Sequence, residues 1–181
     1  LILSKTVASL RIIRISILWL GFLATSLNAQ DLKASFEINN FGLPVDGVFH
    51  ETEVDFQFDP ESLSTSYFQA QIPIKSIDTN IKARDRHLLE EKYFHEEKYS
   101  QMVFKSTAVY RDGEQIMLKG NLTIKGISQE VMSPIQIERK DGEIVALRTS
   151  FELNRRDFNV GKGSLVLGNE VEVKLELLLK D

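Results

Sequence analysis

The chain of 181 residues contains no cysteine. Disulfides, thiol nucleophiles and cysteine-ligated metals are therefore excluded together. Proline and glycine are scarce, at 4 and 10 residues, which rules out a collagen-like repeat and leaves no Gly-, Ser- or Pro-rich linker. Excess positive charge is also missing. The 22 Lys and Arg stand against 26 Asp and Glu, a formal net charge of −4, so there is no general electrostatic pull toward nucleic acid. No HExxH sequence, Gly-rich phosphate loop or nucleophile elbow occurs. What is present, 43% hydrophobic and 27% charged residues, suits one folded domain, or at most a small pair.

Residues 1–29 hold Lys5, Arg11 and Arg14 and no acid. The apolar run Ile15–Ala24 follows the last Arg, and Leu27-Asn28-Ala29 closes the segment. A basic start, a short apolar middle and a small residue at the cut form the pattern of a secretory signal. The run is about 10 residues, against the ~20 that a membrane-spanning helix requires. An uncleaved anchor over Ile12–Leu27 is the competing reading. Cleavage after Ala29 leaves one domain, residues 30–181, with a formal charge of −7 because three basic residues leave with the signal. Such an acidic, cysteine-free chain is expected in the bacterial periplasm or outside the cell.

The remaining chain alternates with period 2. From Val48 to Asp59 the even positions Val48, His50, Thr52, Val54, Phe56 and Phe58 face Glu51, Glu53, Asp55, Gln57 and Asp59. The same pattern groups Phe68, Ala70, Ile72 and Ile74. It also groups Met102, Phe104, Ala108 and Tyr110, then Ile116, Leu118, Leu122 and Ile124, and Val145, Leu147, Phe151 and Leu153. Near the C-terminus it groups Val171, Val173, Leu175, Leu177 and Leu179. These are antiparallel strands with one wet face. Asp112-Gly113 and Asp141-Gly142 are strong hairpin pairs, and Lys125-Gly126 and Gly168-Asn169 weaker ones. About eight strands result, and the fold class is all-β.

Thr79–Ser100 breaks the alternation, being highly charged with no Gly or Pro. It reads as one or two short helices, capped by Asp78 or Thr79, on a barrel mouth or flank. A single helical insertion cannot cover several apolar strand faces, so the strands cover one another as a barrel or a sandwich. An eight-stranded barrel is either filled by its own side chains or holds one small ligand, and topology does not decide which.

Polar candidates are few. His87 and His95 lie eight apart, not the four that two ligands on one helical face want, and His50 on an apolar face reads as an interior hydrogen-bonded residue; no metal site is expected. Two clusters stand out: Arg84-Asp85-Arg86-His87-Leu88, with Thr79 just before it, and Asn154-Arg155-Arg156-Asp157-Phe158-Asn159-Val160-Gly161. An Arg of one pairing with an Asp of the other, Asp85 with Arg155 for instance, would anchor the helix or form a polar rim.

At these clusters the sequence resembles the YceI-like family of exported, lipocalin-like polyisoprenoid-binding proteins. Phe36-x-Ile38 and Val45-x-Gly47-x-Phe49 resemble its opening strand pair. Ser76-Ile77-Asp78-Thr79, Arg84-Asp85-x-His87-Leu88, Tyr93-Phe94 and Phe104-x-Ser106 follow in its order. Gly120-Asn121-Leu122-Thr123-Ile124-Lys125-Gly126 is similar to its Gly-containing hairpin, and Arg155-x-Asp157-Phe158 with Val160-Gly161 to its late motif. Asn159 stands where the family usually has Gly, a mild change because Asn also tolerates positive φ.

The resemblance implies an antiparallel eight-stranded lipocalin-like barrel with a short helical insertion, holding a long isoprenoid or quinone tail without catalysis. No catalytic residue, metal or further cofactor is implied. The expected tunnel lining is Val54, Phe56, Phe58, Phe68, Ala70, Ile72, Phe104, Leu118, Leu122, Leu147, Phe151, Val173 and Leu175. Thr79, Arg84, Asp85, His87, Arg155 and Asp157 form the expected polar motif at the mouth or helix anchor. An apolar isoprenoid lipid is the expected partner, with transient membrane contact and a homodimer as further expectations and no nucleic acid. Other readings stay open: a fatty-acid or fatty-amide barrel, an enzyme using His87 and Asp85 on a lipid head group, and a filled barrel that binds proteins at its surface.

Overall fold

The computed structural model describes residues 28–180. The expected export segment thus lies outside the described residues, except for Asn28 and Ala29 at the start of the first strand. The strands are β1 (Asn28–Asn40), β2 (Leu43–Phe49), β3 (Glu53–Gln57), β4 (Tyr67–Pro73), β5 (Ile77–Asp78), β6 (Gln101–Asp112), β7 (Gln115–Ile124), β8 (Ile127–Lys140), β9 (Glu143–Asn154) and β10 (Leu167–Lys180). One helix, α1 (Lys82–Leu89), interrupts them. All ten strands pair antiparallel in the order β3-β4-β6-β7-β8-β9-β10-β1-β2-β5.

The sheet curls into an all-β barrel of ten strands rather than the eight expected. Its two ends, β3 and β2–β5, meet without a ladder: residues 50–52 carry the chain from β2 into β3, and the Thr52 hydroxyl donates to the Leu32 carbonyl at 2.7 Å. One extra strand, β5, is only two residues long. The other comes from a break in what reads as a single strand. The His50 amide donates to the Ser76 carbonyl at 3.1 Å, and the phase inverts there. Gly47 is buried and Val48 exposed before the break, whereas Val54 and Phe58 point inward after it. A one-residue slip in phase turns every side chain to the other face. His50 moves with it: it sits on the surface, not in the interior, with Nε2 3.1 Å from an Asp78 carboxylate oxygen.

A β-bulge between Ser106 and Ala108 shifts β6 in the same way. Val109 is buried at 5% exposure and Ala108 is exposed, so Ala108 does not share the face of Met102 and Phe104. Three hairpins close with two residues at positive φ, Phe41-Gly42, Lys125-Gly126 and Asp141-Gly142, as tight two-residue turns require. Gly168-Asn169 is not a turn. It lies inside β10, where Gly168 packs against the β1 backbone at Asn39.

Two apolar clusters plug the barrel. Leu32, Phe58, Phe68, Val109, Ile116, Leu118, Ile135, Leu147, Leu177 and Leu179 fill one end. Ile74, Met102, Ile124, Phe158 and Val160 form the other, joined by Leu89, Tyr93 and Phe94 from the helical insertion. The ladder between β8 and β9 covers only Gln136–Lys140 against Glu143–Arg148. Beyond it the two strands splay, and residues 127–135 pair with β7 alone. Outside, Lys33, Glu176, Arg148 and Glu138 run as an ion-pair chain across β1, β10, β9 and β8.

Candidate functional site

Between the two clusters lies a cavity of about 680 Å³. Every strand but β5 contributes inward residues, so the wall inherits the apolar face of the sheet. Eleven of the thirteen residues expected to line a tunnel do line this cavity: Val54, Phe68, Ala70, Ile72, Phe104, Leu118, Leu122, Leu147, Phe151, Val173 and Leu175. Phe56 and Phe58 do not. Their rings pack 5.8 and 6.0 Å from the Phe68 ring, and Phe58 is buried in the end cluster.

Some of the wall was missed. Phe36 and Ile38 on β1 and Val45 and Phe49 on β2 also line the cavity. The alternation Leu32, Ala34, Phe36, Ile38 carried that signal for β1; the phase break at His50 hid it for β2. Two polar residues interrupt the apolar wall where β8 and β9 splay. The Thr149 hydroxyl donates to the Ser133 hydroxyl at 2.7 Å, and Ser133 is only 4% exposed. The pair satisfies one hydroxyl by the other and leaves the wall with little appetite for water.

The exposed residues of the lining mark the mouth. At one end they are Ala83 and His87 on α1, Lys92 after it, and Lys162-Gly163-Ser164 and Val166 before β10; Arg148 is exposed as well, where β8 and β9 splay. The β1–β2 hairpin closes the remaining side through Asn40 and Val45. No Asp or Glu belongs to the lining, whereas Arg84, His87, Lys92, Arg155 and Lys162 do. On an acidic chain this is a marked segregation of charge.

The expected polar residues do not all meet. Asp85 turns back on the loop before its own helix: one carboxylate oxygen accepts from the Thr79 amide at 2.9 Å and the Thr79 hydroxyl at 2.5 Å. Arg84 donates to the same hydroxyl at 2.8 Å and to the Thr79 carbonyl at 2.6 Å. Neither Asp78 nor Thr79 caps α1, whose N-cap is Ile81 without a side-chain bond. Thr79, 3% exposed, is instead the buried hub that fixes the helix to β5.

Arg155 is 4% exposed and pairs with no carboxylate. Its guanidinium donates to the carbonyls of Gly168, Val160, Lys162 and Leu167 and to the Asn169 side chain. The expected Asp85–Arg155 pairing is therefore absent. Arg155 had nearer acceptors in the loop that wraps around it, and that wrapping fixes the shape of residues 160–169. Burial, aided by the neighbouring Arg156 charge, holds its guanidinium below its ordinary value. Asp157 is exposed and its carbonyl accepts from the Gln129 side-chain Nε2 at 3.3 Å.

The motif segments nevertheless converge. The Gly161 amide donates to the Lys92 carbonyl at 2.9 Å. Lys125, in the β7–β8 turn, donates to the carbonyls of Glu91 and Asn159 at 2.8 and 3.0 Å, and burial lowers its pKa. Asn159 closes the turn Arg155–Phe158 in the left-handed region, at φ 54°. Residues far apart in sequence thus lock one barrel end through backbone acceptors, which is an architectural role. Among the described residues, no group of three or more His, Asp or Glu is placed to hold a metal ion.

Strands, cavity and mouth together define an antiparallel barrel with an apolar-walled cavity. The chain belongs to the YceI-like domain family, whose sequence profile matches residues 26–179. A UPF0312 protein of Photorhabdus laumondii is 33% identical over 118 residues, covering 62% of this chain and 62% of that protein, so under two thirds of that relative is matched. The crystal structure of BcnA from Burkholderia cenocepacia is similar with a TM-score of 0.78 and 24% identity, over 85% of this chain and 99% of that one. A polyisoprenoid binding domain from Saccharophagus degradans implicated in plant cell wall breakdown has a TM-score of 0.62 at 14% identity, over 86% of this chain and 97% of that one. Both structural likenesses are of fold.

Proposed function

We propose that this protein is a non-enzymatic carrier that encloses the apolar tail of an isoprenoid lipid, such as a polyprenyl or quinone chain. The observation that carries the reading is the cavity itself. A chamber of about 680 Å³, walled by Phe, Leu, Ile and Val, stays open between two well-packed clusters instead of collapsing. Water gains little there, because the wall offers few partners. A hydrocarbon gains about 0.8 kcal/mol for each methylene it buries. At ~30 Å³ for a water-sized group, the chamber has room for roughly 20 carbons, and a longer tail would extend through the mouth. The polyisoprenoid-binding neighbour shares the fold and supports an apolar lipid as the ligand.

The protein works outside the cytoplasm in this account, delivered there by the segment 1–29. Ligand and protein then meet where isoprenoid lipids are held in membranes. The geometry gives no support to head-group catalysis by His87 and Asp85. Asp85 is committed to Thr79, and no hydrogen bond joins it to His87. Nor is the C-terminal strand free to pair two copies, since β10 is paired on both sides.

Organic extraction of the exported protein followed by mass spectrometry tests the proposal. An isoprenoid near one per chain is the expected result. An acyl chain would keep the barrel and replace the cargo. A lipid-free extract from folded protein would overturn the carrier reading.

A further inference from the structure

Two loops beside the mouth expose apolar side chains that folding does not account for. Phe41 is 73% exposed, Leu43 68%, Leu165 106% and Val166 40%. These four are half of the large apolar side chains exposed among the described residues. They sit together: the Phe41 amide donates to the Val166 carbonyl at 2.7 Å, and Asn40 pairs with both Leu43 and Leu167. Phe41 also holds φ at 51° in a turn that favours Asn, Asp or Gly at this position. A bulky residue held in the left-handed region and facing water is a local cost that asks for a function.

Charge complements the patch. Residues 39–45 and 158–169 contain no acid, and the latter supply Lys162. His87, Lys92 and Lys162 line the adjoining mouth, with no carboxylate in the cavity lining. Arg155, through its bonds to the backbone of residues 160–168, holds the loop in shape. We propose that this rim, the 40–43 hairpin tip and the 162–166 loop, docks the cavity mouth onto an anionic phospholipid bilayer. Phe41, Leu43 and Leu165 enter the boundary between head groups and acyl chains while Lys162 and Lys92 meet the phosphates. A lipid tail then passes between bilayer and cavity without crossing water. The inference rests on the carrier reading and adds the face through which loading occurs.

The test uses exported protein of a single N-terminus, fixed by intact mass, and flotation with two vesicle types: phosphatidylethanolamine with phosphatidylglycerol, and phosphatidylcholine alone. The informative variant is Phe41→Asn with Leu165→Ser. Asn suits the turn, so melting temperature should hold or rise, whereas a packing role for Phe41 would lower it. Binding to the anionic vesicles should weaken at least tenfold in this variant. Lys162→Glu should weaken binding to the anionic vesicles and leave the weaker phosphatidylcholine binding unchanged. Wild-type protein that floats with neither vesicle, or variants that float as wild type does, would overturn the docking face. Lipid extracted from the same samples separates the two ideas. Lipid present without vesicle binding refutes only the docking, and its absence refutes the carrier.

Discussion

Ala70 sits near the middle of the cavity wall, paired across β4 with Val54 on one side and Phe104 on the other. Replacing it with Trp sends an indole into the chamber. A benzene-sized ring needs roughly 150 Å³, about a fifth of the 680 Å³ available. At ~30 Å³ per group that displaces about five methylenes. The lost burial is about 4 kcal/mol, or roughly a thousandfold in Kd. Ala108→Trp is the matched control, because the bulge in β6 leaves Ala108 outside. Bound lipid per chain, measured by extraction and by displacement of a fluorescent fatty probe, should fall sharply in Ala70→Trp and stay level in Ala108→Trp. Melting of the lipid-free protein should be unchanged or higher, since the ring fills empty space. Full lipid occupancy in Ala70→Trp would refute the assignment of this cavity, as would an equal loss in the control.

Three further outcomes follow from the same structure. Arg155→Ala leaves the buried Val160 carbonyl and the part-buried carbonyls of Lys162, Leu167 and Gly168 without this donor and should cost about 3 kcal/mol in denaturant unfolding; a change under about 0.5 kcal/mol would show that the loop does not depend on it. Gly161 holds φ at 70°, and a Cβ there would lie 2.7 Å from the Arg155 guanidinium and 3.2 Å from the Tyr93 ring, so Gly161→Ala should lower the melting temperature. An unchanged melting curve would contradict that close fit. In acid, Glu176 is held below the ordinary carboxylate range by Lys33 and then Arg148, and Asp78 by His50 and then the Asn80 amide. A lowered folded pKa adds stability above the unfolded value and loses it as pH falls through the folded one. Stability should therefore be level near neutrality and decline below about pH 4.3, the ordinary Glu value. Glu176→Gln should flatten that decline, and an unaltered acid limb would count against it.

Much of the wall was legible because a strand alternates, and β7 and β10 keep one phase from end to end. Ile116 to Ile124 and Val171 to Leu179 face inward as their spacing implies. The failures share one physical cause. Phase changes at His50 and at the β6 bulge are set by tertiary contacts, the Ser76 carbonyl in the first case, and nothing in the local pattern announces them. The polar clusters were visible as clusters, but not their partners. Asp85 and Arg155 bind a hydroxyl, amides and carbonyls, and backbone acceptors leave no trace in residue identity. The Phe41-Gly42 turn was missed for a related reason: Phe at positive φ is a poor turn signal.

The native mass of the exported protein, recorded before and after organic extraction, tests the enclosed-lipid account most directly. One isoprenoid per chain, lost on extraction and restored by incubation with the recovered lipid, is the expected result. Folded protein whose native mass equals that of the bare chain, and which takes up no isoprenoid when offered it, would contradict the account.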